Sequence, residues 1–196
     1  MSNPNPIHPI HLIDSIDKID PLDAWLACEK LVQMRRDTGA GAGLAKTEQI
    51  AGKTGLEVMQ AMLRGELPHA AIATTLDFLL VEIDFGAATF QGRPGPAHLN
   101  PMGSIHGGWY ATLLDSALGC AVHSTLPVGR AYTTAELSVN LVKAINPAKT
   151  PRVRAIGKVI HSGRQLATAE ARLVGPDGTL YAHATTTCLV FELRIA

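Results

Sequence analysis

An α+β domain is the fold class this sequence predicts: one long central helix wrapped by a single curved antiparallel sheet, preceded by a helical extension. Three observations carry it. The stretch from Trp109 to Val122 is an apolar run too long for a strand, since strands rarely exceed ~8 residues while helices commonly pass ~10. Two strand-like runs precede it and four follow, the first of the four alternating between apolar and polar residues. One buried helix with strands on both sides in sequence is packed most economically by wrapping the sheet around it.

The elements follow in order. The 196 residues fit one domain, predicted over 66–196, plus a partly helical extension over 1–65. The first twenty residues are broken by proline, with neither a basic start nor an uninterrupted apolar run, so no signal peptide is expected. His8 and His11 have loose metal-like spacing without further ligands nearby, and no metal site is expected. Asp20-Pro21 opens a helix to about Arg36, with Trp25, Leu26, Leu31 and Met34 as its apolar positions. The glycine-rich 37–43 breaks it, and a second helix is predicted from about Lys46 to Gly65. Gly39-Ala40-Gly41-Ala42-Gly43 and Gly52-Lys53-Thr54 imitate nucleotide-binding loops, but no strand leads into either.

Strands are predicted at Leu76–Asp84 and Ala87–Gln91, flanking a bend at Phe85-Gly86. After the central helix, Ala131–Ile145 places Ala135, Leu137, Val139 and Leu141 on one face and Thr134, Glu136, Ser138 and Asn140 on the other. Three more strands are expected near 152–161, 165–175 and 179–193, the last two joined by the Pro176-Asp177-Gly178 turn.

Composition excludes several classes. Seventeen basic residues balance seventeen acidic ones, so no nucleic-acid surface is expected. No run reaches the ~18 apolar residues of a membrane span. Cys28, Cys120 and Cys188 are odd in number and far apart, which points to a reduced, cytoplasmic protein.

The chemistry concentrates on the central helix. Asp115 is the one full charge in an apolar segment, and an unpaired core carboxylate costs several kcal/mol. Thr112, Asp115, Ser116 and Gly119 recur at i, i+3, i+4 and i+7, a stripe of polar or small residues predicted to face a cleft or another subunit. At the helix start, the Gly107 and Gly108 amides lack intrahelical acceptors and sit at the positive end of the dipole, where an oxyanion can bind. Gly107 and Asp115 are eight residues apart, or ~12 Å along a helix at ~1.5 Å per residue. Carboxylate and oxyanion donor must both lie within ~3.5 Å of one reacting carbonyl. Two antiparallel copies, each lending its terminus to the other's acid, would satisfy both, so a homodimer is predicted.

The residues Asn100, Gly103, His106, Gly107, Gly108 and Asp115 form the pattern N-x-x-G-x-x-H-G-G with an acid nine positions after the histidine. With this pattern and element order, roughly residues 65–193 resemble the hotdog fold, and more narrowly the phenylacetate-pathway (PaaI-type) branch of acyl-CoA thioesterases. The resemblance implies hydrolysis of an aryl- or medium-chain acyl-CoA with no cofactor, coenzyme A being part of the substrate. It implies that Asp115 is the nucleophile or general base and that the Gly107 amide polarises the carbonyl, with Gly108 beside the substrate. Asn100 and His106 would hold the loop and the thioester, or orient water. Thr134 matches an assisting hydroxyl, and Arg164, Gln165 and Leu166 match a strand start that contacts coenzyme A. Acid and amide come from opposite subunits in the family, and a dimer of dimers is its larger assembly.

Two other readings stay open: a non-catalytic acyl-CoA-binding protein, and a hydratase or dehydratase of the same fold. Asp115 weighs against the first, because a binder gains nothing from a carboxylate beside an anionic ligand. The second group carries its acid and histidine in local motifs that are absent here. The acyl group and the role of residues 1–65 are not readable from sequence.

Overall fold

The computed structural model describes residues 20–193, so His8 and His11 lie outside the described residues. Helix α1 spans Pro21–Thr38, α2 Thr47–Ile50, α3 Gly55–Leu63 and α4 Ala71–Thr75; strands β1 Phe78–Asp84 and β2 Ala87–Gly92 follow. The central helix is α5 (Gly107–Ser124), and β3 Arg130–Leu141, β4 Val153–Ser162, β5 Leu166–Val174 and β6 Leu180–Glu192 complete the chain. One six-stranded sheet has the order β1-β2-β4-β5-β6-β3, with every pairing antiparallel. It wraps α5, whose Leu113, Leu114, Ala117, Leu118, Ala121 and Val122 are wholly buried.

Sheet and helix touch closely at Gly157 on β4. A Cβ there would stand 2.4 Å from the Ala117 carbonyl oxygen, and backbone cannot move aside as a side-chain tip can. Gly157→Ala is therefore expected to destabilise by about 1–3 kcal/mol through overpacking, read as a lower denaturant midpoint at unchanged slope.

The structure corrects three sequence expectations. The helix predicted over 46–65 is two helices, because Gly52 turns at φ +73° and Thr54 starts a new helix, its hydroxyl accepting from the Glu57 N–H while Glu57 accepts from the Thr54 N–H. In α1, Leu26, Leu31 and Met34 are exposed; the buried seam is Cys28 and Val32, packed on Leu79 and Val81. The rest of that seam carries Trp25, Glu29 and Arg36, whose partners are distant in sequence. Glu29 accepts from Arg152 at 2.9 Å and from Gln91 at 2.7 Å, Trp25 lies 4.7 Å from the Arg154 guanidinium, and Arg36 donates to the Phe78 carbonyl. Third, β3 ends at Leu141 and carries a bulge at Ala135: Thr134 pairs with Cys188 but Glu136 with Thr187. The extra residue turns Thr134 to the same face as Leu137, not the opposite one.

Burial pushes the Glu29 carboxyl up, but hydrogen bonds from Arg152 and Gln91 and the charges of Arg152 and Arg93 outweigh it, leaving it below its ordinary value. A carboxyl held low in the fold stabilises it above the unfolded value, and that contribution is lost as pH falls through the folded value. Acid unfolding followed by circular dichroism should therefore be steeper for the native protein than for Glu29→Gln, the difference confined to pH below the ordinary Glu value of 4.5.

Candidate active site

The loop before α5 is shaped by Asn100. Its Oδ1 accepts from the Met102 and Ser104 amides at 3.0 and 3.1 Å, and Gly103 completes the turn at φ +78°. The loop delivers His106 as the N-cap of α5: the Gly108 N–H donates to His106 Nδ1 at 2.9 Å. An accepting Nδ1 leaves the ring proton on Nε2. The two glycine amides thus differ. Gly108 is spent on the cap, whereas the Gly107 N–H has no acceptor among the described residues. It stands at the positive end of an 18-residue helix.

Sequence reasoning missed His98, which is buried, accepts from the Gly95 N–H at 3.1 Å and stacks on Trp109 at 5.5 Å. Its carbonyl accepts the His106 N–H at 2.8 Å, fixing the entry to α5. No local signal in the sequence marks it.

Asp115 lies two turns further along. Thr134 Oγ1 donates to Asp115 Oδ1 at 3.1 Å, a contact that exists because of the Ala135 bulge. The stripe hydroxyls bond back to their own helix, Thr112 to the Gly108 carbonyl and Ser116 to the Thr112 carbonyl. Gly119 admits the Tyr132 ring, whose hydroxyl would lie 2.5 Å from a Cβ. Along this stripe runs a cavity of about 300 Å³, lined by Asp115, Ser116, Cys120 and His123 from α5, by Phe78 and Phe90 from the sheet, and by residues of α1, α3 and α4.

Three titratable groups lining that cavity are shifted toward their neutral forms. Burial, and then the Asp115 charge, pushes the Cys120 thiol up to about 12. Tyr132 is held well above its ordinary value by burial, and burial pushes His123 down. All three are uncharged at neutral pH, so Cys120 is no thiolate nucleophile there. Asp115 is the one carboxyl among the lining residues, and neither His106 nor Gly107 lines the cavity.

The remaining predicted residues form a third group. Arg164 and Gln165 line an open cleft of about 660 Å³ with Arg130 and Val190–Leu193, and the Arg130 guanidinium donates to the Arg164 carbonyl. Leu166 begins β5 and is 47% exposed. One chain therefore presents a free amide, an acid over a largely apolar cavity and a cleft lined by two arginines and Glu192, with amide and acid eight residues apart on one helix.

Residues 102–182 match the family model described as the thioesterase superfamily. A Halobacterium salinarum protein described as a candidate esterase is 37% identical over 83 residues, which are 42% of this chain. The chain spans about half the length (54%) of that curated relative. Among solved structures, a candidate thioesterase related to phenylacetic acid degradation from Ralstonia eutropha aligns at TM-score 0.60 and 30% identity, covering 66% of this chain and 97% of its own. The PaaI protein of the E. coli phenylacetic acid degradation operon aligns at TM-score 0.60 and 20% identity, covering 72% and 96%, a likeness of fold alone.

Proposed function

We propose that this chain, which belongs to the thioesterase superfamily, hydrolyses the thioester of an aryl- or medium-chain acyl-CoA to the free acid and coenzyme A. The observation that carries this reading is Asp115, bonded by Thr134 and opening onto an apolar cavity. Asp115 attacks the thioester carbonyl, or takes the proton of a water that does. An unengaged Gly107 amide receives the negative charge that develops on the carbonyl oxygen. Collapse of the tetrahedral adduct breaks the C–S bond, and the departing thiolate takes up a proton. The general-base route yields the free acid at once, whereas direct attack leaves an acyl–Asp115 anhydride that a water then hydrolyses to the free acid and the restored carboxylate. Single turnover in ¹⁸O-water detects direct attack when water opens the anhydride at the Asp115 carbonyl, because ¹⁸O then stays on Asp115 and an unlabelled Asp115 oxygen leaves with the first product.

The amide comes from a second copy. β3 is an edge of the sheet, and a long unpaired edge is a template for another strand. It carries both halves of the site: Thr134 bonds Asp115, and Leu141 lies against Gly107, 3.1 Å from where a Cβ would be. Pairing two β3 strands antiparallel about Ser138, with the Ala135 bulge absorbing one residue, sets Thr134 of one copy opposite Leu141 of the other. Asp115 of one chain is thereby brought toward Gly107 of the next.

The two arginines of the cleft, Arg130 and Arg164, suit the phosphates of coenzyme A. Arg164→Ala is expected to raise KM about 5–10-fold with little change in kcat, as loss of an exposed phosphate contact of about 1 kcal/mol would. No helix among the described residues is long and apolar enough to cross a membrane, and three free cysteines fit a reducing cytoplasm. The test is thiol release from an acyl-CoA panel running from acetyl to hexadecanoyl with benzoyl and phenylacetyl. Release is expected with aryl or medium-chain members. Binding without release from any member would instead make the chain an acyl-CoA binder.

A further inference from the structure

The cavity beside Asp115 is only half built by the sheet and α5. Its other walls are Val32 and Arg36 of α1, Met59, Met62 and Leu63 of α3, and the His69–Ala73 segment. Nearly all of these lie before residue 73, while the thioesterase superfamily match begins at residue 102. We propose that the N-terminal extension, continued by the segment His69–Ala73 that leads into β1, is the acyl-selecting wall of this site, with α3 setting the length of group accepted. The inference rests on the thioesterase reading and adds what fixes its substrate.

Three observations support a fixed wall. The Gly55 N–H donates to the Leu126 carbonyl at 2.9 Å, and a Cβ on Gly55 would stand inside contact distance of the His123 carbonyl. The first turn of α3 is thus seated on the end of α5. Arg36 fastens α1 by donating to the Phe78 carbonyl and the Thr74 hydroxyl at 3.3 and 3.2 Å. The Glu29–Arg152 pair ties α1 to the chain just before β4. A wall held at three points selects by size.

The dimensions give the class. A cavity of about 150 Å³ takes up benzene, and this one measures about 300 Å³. That volume admits a ring on a short linker or a medium alkyl chain, and leaves a hexadecanoyl tail no room. Met62 is half-buried and lines the space, so shortening it lengthens the cavity. Ala70 is exposed at its margin, where a large ring can be added without opening the core.

The experiment compares four- and eight-carbon chains in two forms: acyl-CoA thioesters for kcat/KM, and alkyl-CoA thioethers, which cannot be hydrolysed, for Kd. Removing a few methylenes from a wall changes discrimination by about 10-fold or more. Met62→Ala should raise the eight- to four-carbon preference by about 10-fold, and Ala70→Phe should lower it comparably. The shift should appear in both kcat/KM and Kd. Folded variants whose preference is unchanged in both measurements, all substrates moving by one factor, would overturn the proposal. Thioether preferences that shift as stated, with no thioester hydrolysed by the native protein, would support the wall and overturn the thioesterase reading.

Discussion

Asp115→Asn is expected to lower kcat/KM for thioester hydrolysis by about 10²–10⁴-fold, the contribution of a positioned base or nucleophile, while acyl-CoA binding persists. The substitution is close to isosteric. The Asn Oδ1 can still accept from Thr134, so the 3.1 Å contact and the bulge that makes it are retained. What is lost is an oxygen able to take a proton or attack a carbonyl. Thr134→Val removes only the hydrogen bond and should cost about 10-fold, near the value of one such bond to a charged group. Cys120→Ala supplies the control. Its thiol lines the same cavity but is pushed up to about 12 by burial, so hydrolysis should continue at near the native rate. Thiol release in all three variants, with thermal melts to verify folding, checks the order. An Asp115→Asn protein that hydrolyses at the native rate would remove the carboxylate from the mechanism.

The parts legible from sequence are those in which local chemistry and tertiary role agree. The apolar run of α5 is wholly buried over its middle turns, and Gly119 admits Tyr132, the close approach its mid-helix position suggested. Asn100 and His106 build their turn and cap from side-chain bonds to nearby backbone, which spacing alone can signal. The split between α2 and α3 was also written locally, because Thr54 and Glu57 form a T-x-x-E capping box inside the segment read as one helix.

Other features were hidden for definable reasons. The inward seam of α1 contains Glu29 and Arg36, which a hydrophobicity reading assigns to solvent; their partners, Arg152 and the Phe78 carbonyl, are distant in sequence. Leu26, Leu31 and Met34 consequently looked like the core face and are exposed. Strict alternation put Thr134 opposite Leu137, because a period of two has no means of registering a bulge. That one extra residue decides whether a hydroxyl reaches Asp115. The cavity wall was the least legible, since it depends on α1, α3 and α4 closing over α5.

Ser138→Lys is expected to prevent the proposed dimer and abolish hydrolysis, because the site as proposed needs an amide and an acid from different copies. Ser138 is exposed on the edge strand β3, with β6 on its other side at Thr185. Four residues separate it from Thr134 and three from Leu141. The Ala135 bulge shortens the first path to that of about three regular positions, so a two-fold axis at Ser138 equalises the halves. On such an axis each Ser138 faces its own copy, and two lysines there repel directly. The opposite arm is Ser138→Cys. Opposed Cα atoms in an antiparallel pair are about 4.5–5.5 Å apart, within the range a disulfide spans. Mild oxidation should therefore yield a covalent dimer that keeps its activity, whereas the Lys variant should elute as an inactive monomer with an unchanged circular dichroism spectrum. An active Lys monomer would show that one chain brings Gly107 and Asp115 together unaided. A Cys variant that never cross-links while remaining dimeric would move the axis away from β3, and the pairing of Thr134 with Leu141 of a second copy would fail with it.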